Sequence, residues 1–157
     1  MDMEKSFMKE AISIAKHSAE SLEGGPFGAV ITKDGKVVAR ANNTVTTSKD
    51  PSAHAEINAI RLACQKLDTH DLSGCEIYAS CEPCPMCLSA IYWARIDKIY
   101  YAADRFDAKD IGFDDSLIYE ELALDEKDRS IITKRFMAEE GLEPFEIWKK
   151  LEDKVEY

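Results

Sequence analysis

The sequence predicts an α/β protein, a layered sheet with helices crossing between its strands. Three observations lead there. Between residues 3 and 103, helical periodicity alternates with short β-rich runs in the order helix, hairpin, helix, strand, helix, strand. A two-residue turn, Asp34-Gly35, separates the two runs of the hairpin. Finally, 157 residues, 45% of them hydrophobic, suffice for one domain whose core folds without staples.

Met3 to Leu22 carries Phe7, Ala11, Ile14, Ala15 and Ser18 at helical spacing, and Gly24-Gly25 stops it. Phe27 to Thr32 and Lys36 to Ala41 read as the hairpin strands. The polar loop NNTVTTSKDP leads into a helix from about Ser52 to Leu67, with Ala55, Ala59, Leu62 and Ala63 on one face. Cys75 to Ser80 reads as a strand, and Pro85 to Arg95 as a helix apolar nearly all round and therefore buried. Lys98 to Ala103 is a further strand. Beyond residue 104 the pattern predicts a short helix after Asp115, a fifth strand over Ser130–Met137 and a last helix over Pro144–Asp153.

Charge restricts the partners. Thirty acidic residues face 20 basic ones, a formal net charge of −10, and no basic run exceeds two residues. Nucleic-acid binders gain most of their affinity by neutralising phosphates, so a small or uncharged substrate is expected rather than a polynucleotide. No apolar run approaches the ~20 residues needed to span a bilayer, and the charged start MDMEKSFMKE has no apolar signal region. A membrane partner is therefore not expected, and the cytoplasm is the expected compartment. Thiols stay reduced there, and five cysteines make no complete disulfide framework.

Three of those cysteines fall in CEPCPMC, Cys81 to Cys87. Alone, the stretch reads as a metal site or a redox pair. Upstream, PSAHAEINAI puts His54 and Glu56 at the start of a helix, and the two halves together form the zinc deaminase signature H-x-E…P-C-x-x-C. Zinc takes imidazole and thiolate ligands, and a catalytic site keeps its fourth position for water. Cys84 and Cys87, spaced i, i+3 at a helix start, face one way, where free N–H groups and the helix dipole favour thiolates. His54 completes the ligand set. Two thiolates leave the ion formally neutral and its water only weakly acidified, so a base is needed beside it. Glu56 fits that role as proton shuttle, not ligand. A structural site with Cys81 or His70 as fourth ligand is the alternative, and it leaves the His-x-Glu half without a purpose. Cys64 and Cys75 read as core residues.

Nearly the whole chain resembles one family. GGPFGAVI, NNTVTTSKDPSAHAE, CEPCPMCLSAIYWAR, YAAD, GFDDSLIY and the final -EY are similar, in order, to the small bacterial guanine deaminases of the cytidine deaminase-like type. The resemblance implies a three-layer α/β/α fold around a mostly five-stranded mixed sheet, with one catalytic zinc ion per subunit. It implies hydrolysis of guanine to xanthine and ammonia, water on the zinc attacking C2 while Glu56 moves the protons. It further implies that Phe27 stacks on the purine and Asn43 hydrogen-bonds its edge. Without the family, Phe27 reads as a core aromatic and Asn43 as a turn residue. Of Asp114 and Asp115, one caps the following helix, and the family's substrate-side carboxylate falls on Asp115. The resemblance implies a homodimer in which a C-terminal segment, about residues 121–157, is exchanged, so that Tyr157 closes the partner's site. Guanosine, another aminopurine or an aminotriazine is the alternative substrate, and a tRNA adenosine a more distant one. A noncatalytic zinc-stabilised binding module is the rival from another class.

Overall fold

A computed structural model describes residues 2–157. Helix α1 (Met3–Ser21) begins at Asp2, whose carboxylate accepts from Glu4 N, and ends when Leu22 turns into the left-handed region. Strands β1 (Gly28–Lys33) and β2 (Lys36–Asn42) follow as an antiparallel hairpin. Its turn residues Asp34 and Gly35 both have positive φ, at 50° and 73°, the condition for a turn that matches the strand twist. A short helix α2 (Val45–Ser48) interrupts the polar loop. Then come α3 (Ala55–Leu67), β3 (Cys75–Cys81), α4 (Pro85–Trp93), β4 (Lys98–Ala103) and α5 (Arg105–Asp110). Asp104 and Asp107 form a reciprocal capping box on α5.

The sheet order is β2-β1-β3-β4. β1 runs antiparallel to both neighbours and β3 parallel to β4, with α4 as their crossover. Alternation along the strands separates two cores. Ala29 and Ile31 of β1 and Cys75 and Ile77 of β3 pack with Ala55, Ala59 and Ala63 of α3 and Ile91 of α4. Val30 and Tyr78 point the other way, onto Ala11 of α1. Alanine at every fourth position lets α3 lie close to the sheet. The result is a helix–sheet–helix sandwich with the carboxyl end of β3 opening between the starts of α3 and α4.

Three expectations are corrected. The sheet has four strands, not five: Ser130–Met137 is not a strand. Those residues belong to the second of two compact units, one up to Asp115 and one spanning Ser116–Tyr157. The second holds α6 (Ser116–Ala123), two 3₁₀ turns (Glu126–Asp128 and Glu140–Leu142) and α7 (Glu143–Lys150). β-Branched residues such as Ile131 and Ile132 make a strand only where another strand offers backbone partners, and that unit contains none. Leu62 is 45% exposed rather than on the packed face of α3, where Ala55, Ala59 and Ala63 are joined by Ile60, Cys64 and Leu67. α4 is not buried all round: Pro85, Cys87 and Ile91 are buried, while Tyr92 and Trp93 are exposed.

Candidate active site

Two helix starts build the site, and the sequence explains both. Cys84 precedes Pro85, which pushes the residue before it into extended backbone and suits the first helical position itself. Cys84 accordingly sits at the N-cap of α4 with φ −64° and ψ 169°. His54 occupies the N-cap of α3 in the same extended conformation. Neither side chain caps its own helix, so both remain available to a ligand. Cys87, in the first turn of α4, is fully buried.

His54 Nδ1 lies 3.6 Å from Cys84 Sγ and 3.5 Å from Cys87 Sγ. The three ligand atoms all lie within 4.8 Å of one another. In a tetrahedron with Zn–S and Zn–N bonds of ordinary length, the N–S edge is about 3.6 Å. The donor set and its spacing therefore fit zinc. The hydrogen bond from Cys87, with burial opposing and His54 assisting, lowers the Cys84 thiol to about 4. The same hydrogen bond, together with burial, pushes Cys87 up. Cys84 in turn raises the His54 imidazole. A divalent ion lets both thiols ionise and the imidazole stay neutral.

Glu56, in the first turn of α3, is 5% exposed. Burial raises its carboxyl above the usual range, and the charge of Cys84 adds to this while Cys87 and His54 oppose it. A carboxyl whose proton is held more tightly than usual is suited to general acid–base work. Cys81 stands apart from the ligand cluster. Its thiol donates to the Asp104 carbonyl at 3.6 Å, and burial pushes it up to about 11. Among the described residues the cluster thus has three members, the count of a catalytic rather than a structural zinc site.

The remaining expected residues divide between the units. Asn43 is buried just after β2, and its Oδ1 accepts from the backbone N–H of Val45 at 3.0 Å and of Gly25 at 3.4 Å. Its acceptor is thereby used internally, by two backbone N–H groups. Phe27 is half-buried at the entrance to β1 and meets Phe113 edge to face, with ring centroids 5.0 Å apart. Asp114 pairs with Lys109 at 3.7 Å. Asp115 is half-buried, and its carboxyl is raised chiefly by burial and then by the charge of Cys84, so it senses the metal ligands. Tyr157 belongs to the second unit and is 73% exposed.

The family described as the cytidine and deoxycytidylate deaminase zinc-binding region matches residues 1–103. The chain belongs to this family. The matched region is a zinc-binding one, and the His54, Cys84 and Cys87 group inside it could hold the ion. Among related deaminases, a guanine deaminase of Bacillus subtilis (strain 168) is 48% identical over 153 residues, 98% of each chain. The X-ray structure of the Bacillus subtilis guanine deaminase superposes with a TM-score of 0.95 over 98% of each chain. A guanine deaminase from Nitrosomonas europaea gives a TM-score of 0.66 at 36% identity, over 69% of this chain and 63% of that one. A tRNA-specific adenosine deaminase of Aquifex aeolicus is 45% identical over 97 residues, 62% of this chain and 64% of its own.

Sequence reasoning missed two participants. Phe113 was hidden because an aromatic in a loop carries no periodicity. Asn58 was passed over within HAEINAI, although Asn inside a first helical turn is a signal that the side chain reaches back to nearby backbone.

Proposed function

We propose that this deaminase hydrolyses guanine, replacing its 2-amino group with oxygen to give xanthine and ammonia. The observation that carries the proposal is the buried carboxyl of Glu56 beside a three-member His/Cys/Cys cluster, in a chain similar to a guanine deaminase over nearly its full length. Zinc, when bound, supplies the Lewis acidity that makes water a nucleophile at neutral pH. Glu56 takes the proton that this water loses, delivers it to the ring nitrogen next to C2, and passes a second proton to the departing amine. Its raised pKa suits both directions of transfer. Phe27 stacks on the purine face, held square by Phe113. The Asn43 amide nitrogen donates to an acceptor on the purine edge. Asp115 accepts from the 2-amino group and relays a proton as ammonia leaves.

In this reading residues 1–157 act as one deaminase domain, working in the cytoplasm as a homodimer. The segment from about residue 121 to 157 exchanges between subunits, and Tyr157 of the partner subunit shields the bound purine. Exposed Tyr92 and Trp93 on α4 support a second subunit, since adjoining large aromatics are seldom left to water. No helix of the described residues is long and apolar enough to cross a membrane. The net charge of −10 disfavours a tRNA substrate.

Ammonia release across a panel of guanine, guanosine, adenine, 2-aminopurine, an aminotriazine and an adenosine-bearing RNA tests the assignment. Guanine should give the highest kcat/KM. Guanosine or adenosine-bearing RNA above guanine would overturn the substrate.

A further inference from the structure

We propose that Asn58 is a positioning residue that ties the purine-reading loop to the metal-bearing helix. His54 cannot cap α3, because its imidazole points to the two thiols. Four residues later in the same helix, the Asn58 amide reaches back over that helix start. Its Nδ2 lies 3.0 Å from the Asn42 carbonyl, 3.0 Å from Thr44 Oγ1 and 3.3 Å from the Ala53 carbonyl. Two N–H groups serve the three acceptors, so the longest contact shares a hydrogen with another.

These acceptors are not scattered. Asn42 and Thr44 flank Asn43, and Ala53 immediately precedes His54. The backbone N–H of Thr44 also donates to the Ala53 carbonyl at 3.0 Å, closing the same bridge. Asn43 itself is fixed on its other side, where its N–H donates to the Phe27 carbonyl at 3.2 Å. One side chain thus sets the spacing between the residue proposed to read the purine and the residue that holds the metal. Loss of the Asn58 donors frees the loop to drift while the three ligands keep their places. Asn58 touches neither substrate nor metal in this role; it acts through Asn43.

The inference rests on Asn43 as purine reader, and a double-mutant cycle separates the two. Asn58→Ala should raise KM for guanine roughly 10- to 100-fold, the scale of a small misplacement. Zinc content should stay at one per chain, and kcat should change less than about threefold. In an Asn43→Ala background the same substitution should add less than about twofold, because the residue it positions is gone. An equal rise in KM in both backgrounds, or loss of zinc from Asn58→Ala, overturns the role of Asn58. If Asn43→Ala alone leaves KM unchanged, Asn43 is not the reader, and that single variant shows it. Should Asn58→Ala fail to fold, Thr44→Val removes one acceptor and keeps the helix intact. Its smaller rise in KM must likewise vanish when Asn43 is alanine, and persistence of the rise refutes the clamp.

Discussion

Replacing Gly24 by alanine tests how tightly the loop proposed to read the purine is held. A Cβ built on Gly24 would lie 1.8 Å from the Asn43 carbonyl oxygen and 2.6 Å from its carbon. Ordinary contact begins at 3.4 Å, so about 1.6 Å of separation has to be found. No rotamer can supply it, because the two nearest atoms are backbone. The Gly24 segment cannot easily retreat either. Thr47 Oγ1 donates to the Glu23 carbonyl at 2.9 Å, and the fully buried Ser18 hydroxyl to the Gly25 carbonyl at 2.9 Å. The displaced group is therefore Asn43, with the hydrogen bond from Gly25 N to its Oδ1 broken. Overpacking of this kind costs about 1–3 kcal/mol of stability. A shift above 1 Å at a substrate-orienting group costs on the order of 100-fold in kcat/KM. Gly24→Ala should accordingly melt several degrees lower, keep its zinc, and lose about two orders of magnitude in kcat/KM for guanine, mostly through KM. Steady-state kinetics with metal analysis on the same preparation reads all three. Gly141→Ala, whose Cβ would meet nothing within 4 Å, is the control and should behave as the parent. A Gly24→Ala enzyme with the parent's KM would show that Asn43 does not orient the purine.

Glu56→Gln should retain one zinc per chain and lose at least about 10⁴-fold in kcat, whereas Cys87→Ala should lose the metal. Zinc lost from the first or kept in full by the second would reverse ligand and base. Burial raises the Glu56 carboxyl above its ordinary 4.5. In metal-free protein the folded state then binds more protons than the unfolded state between those two values, so stability falls as pH rises through that window. Metal-free Glu56→Gln should therefore melt above the metal-free parent at about pH 8, with the gap closing as the pH falls toward 4.5. A gap independent of pH would mean that Glu56 carries no buried charge. Removal of Tyr157 should cost activity without moving the melting temperature, and unchanged kinetics would remove it from the site.

What the sequence made legible was local. His-x-Glu and Cys-x-x-Cys each belong to a single helix start, where spacing and capping rules apply directly, and the alternation of strands with helices located both starts. The hairpin turn was equally local, since Asp34-Gly35 carries its conformational preference with it. What stayed hidden depends on partners distant in the chain. Residues 130–137 have strand composition, but composition cannot say whether a sheet edge will be offered. Leu62 matches the period of the α3 face, yet it is Ile60, Cys64 and Leu67 that join the alanines against the core, and periodicity alone does not choose among them. The all-apolar α4 signals burial, and within one chain only the side carrying Pro85, Cys87 and Ile91 receives it. Asn58 makes contacts 5, 14 and 16 residues upstream, and no helical period encodes that reach.

The site divides along the same line. Its metal half follows from side chains that helix starts must present outward: an N-cap residue that does not cap, and a thiol one turn in. Such a half tolerates change elsewhere, because each ligand is placed by its own helix. The half proposed to bind substrate is placed by contacts between segments, with Gly24 pressed against Asn43, Phe113 against Phe27 and Asn58 across the loop. Substitutions in the first half should register as zinc content and kcat. Those in the second should register as KM with the metal intact. On that division a chain that keeps both motifs can change substrate by altering the intersegment contacts alone, which is consistent with this chain's similarity to both a guanine deaminase and a tRNA-specific adenosine deaminase.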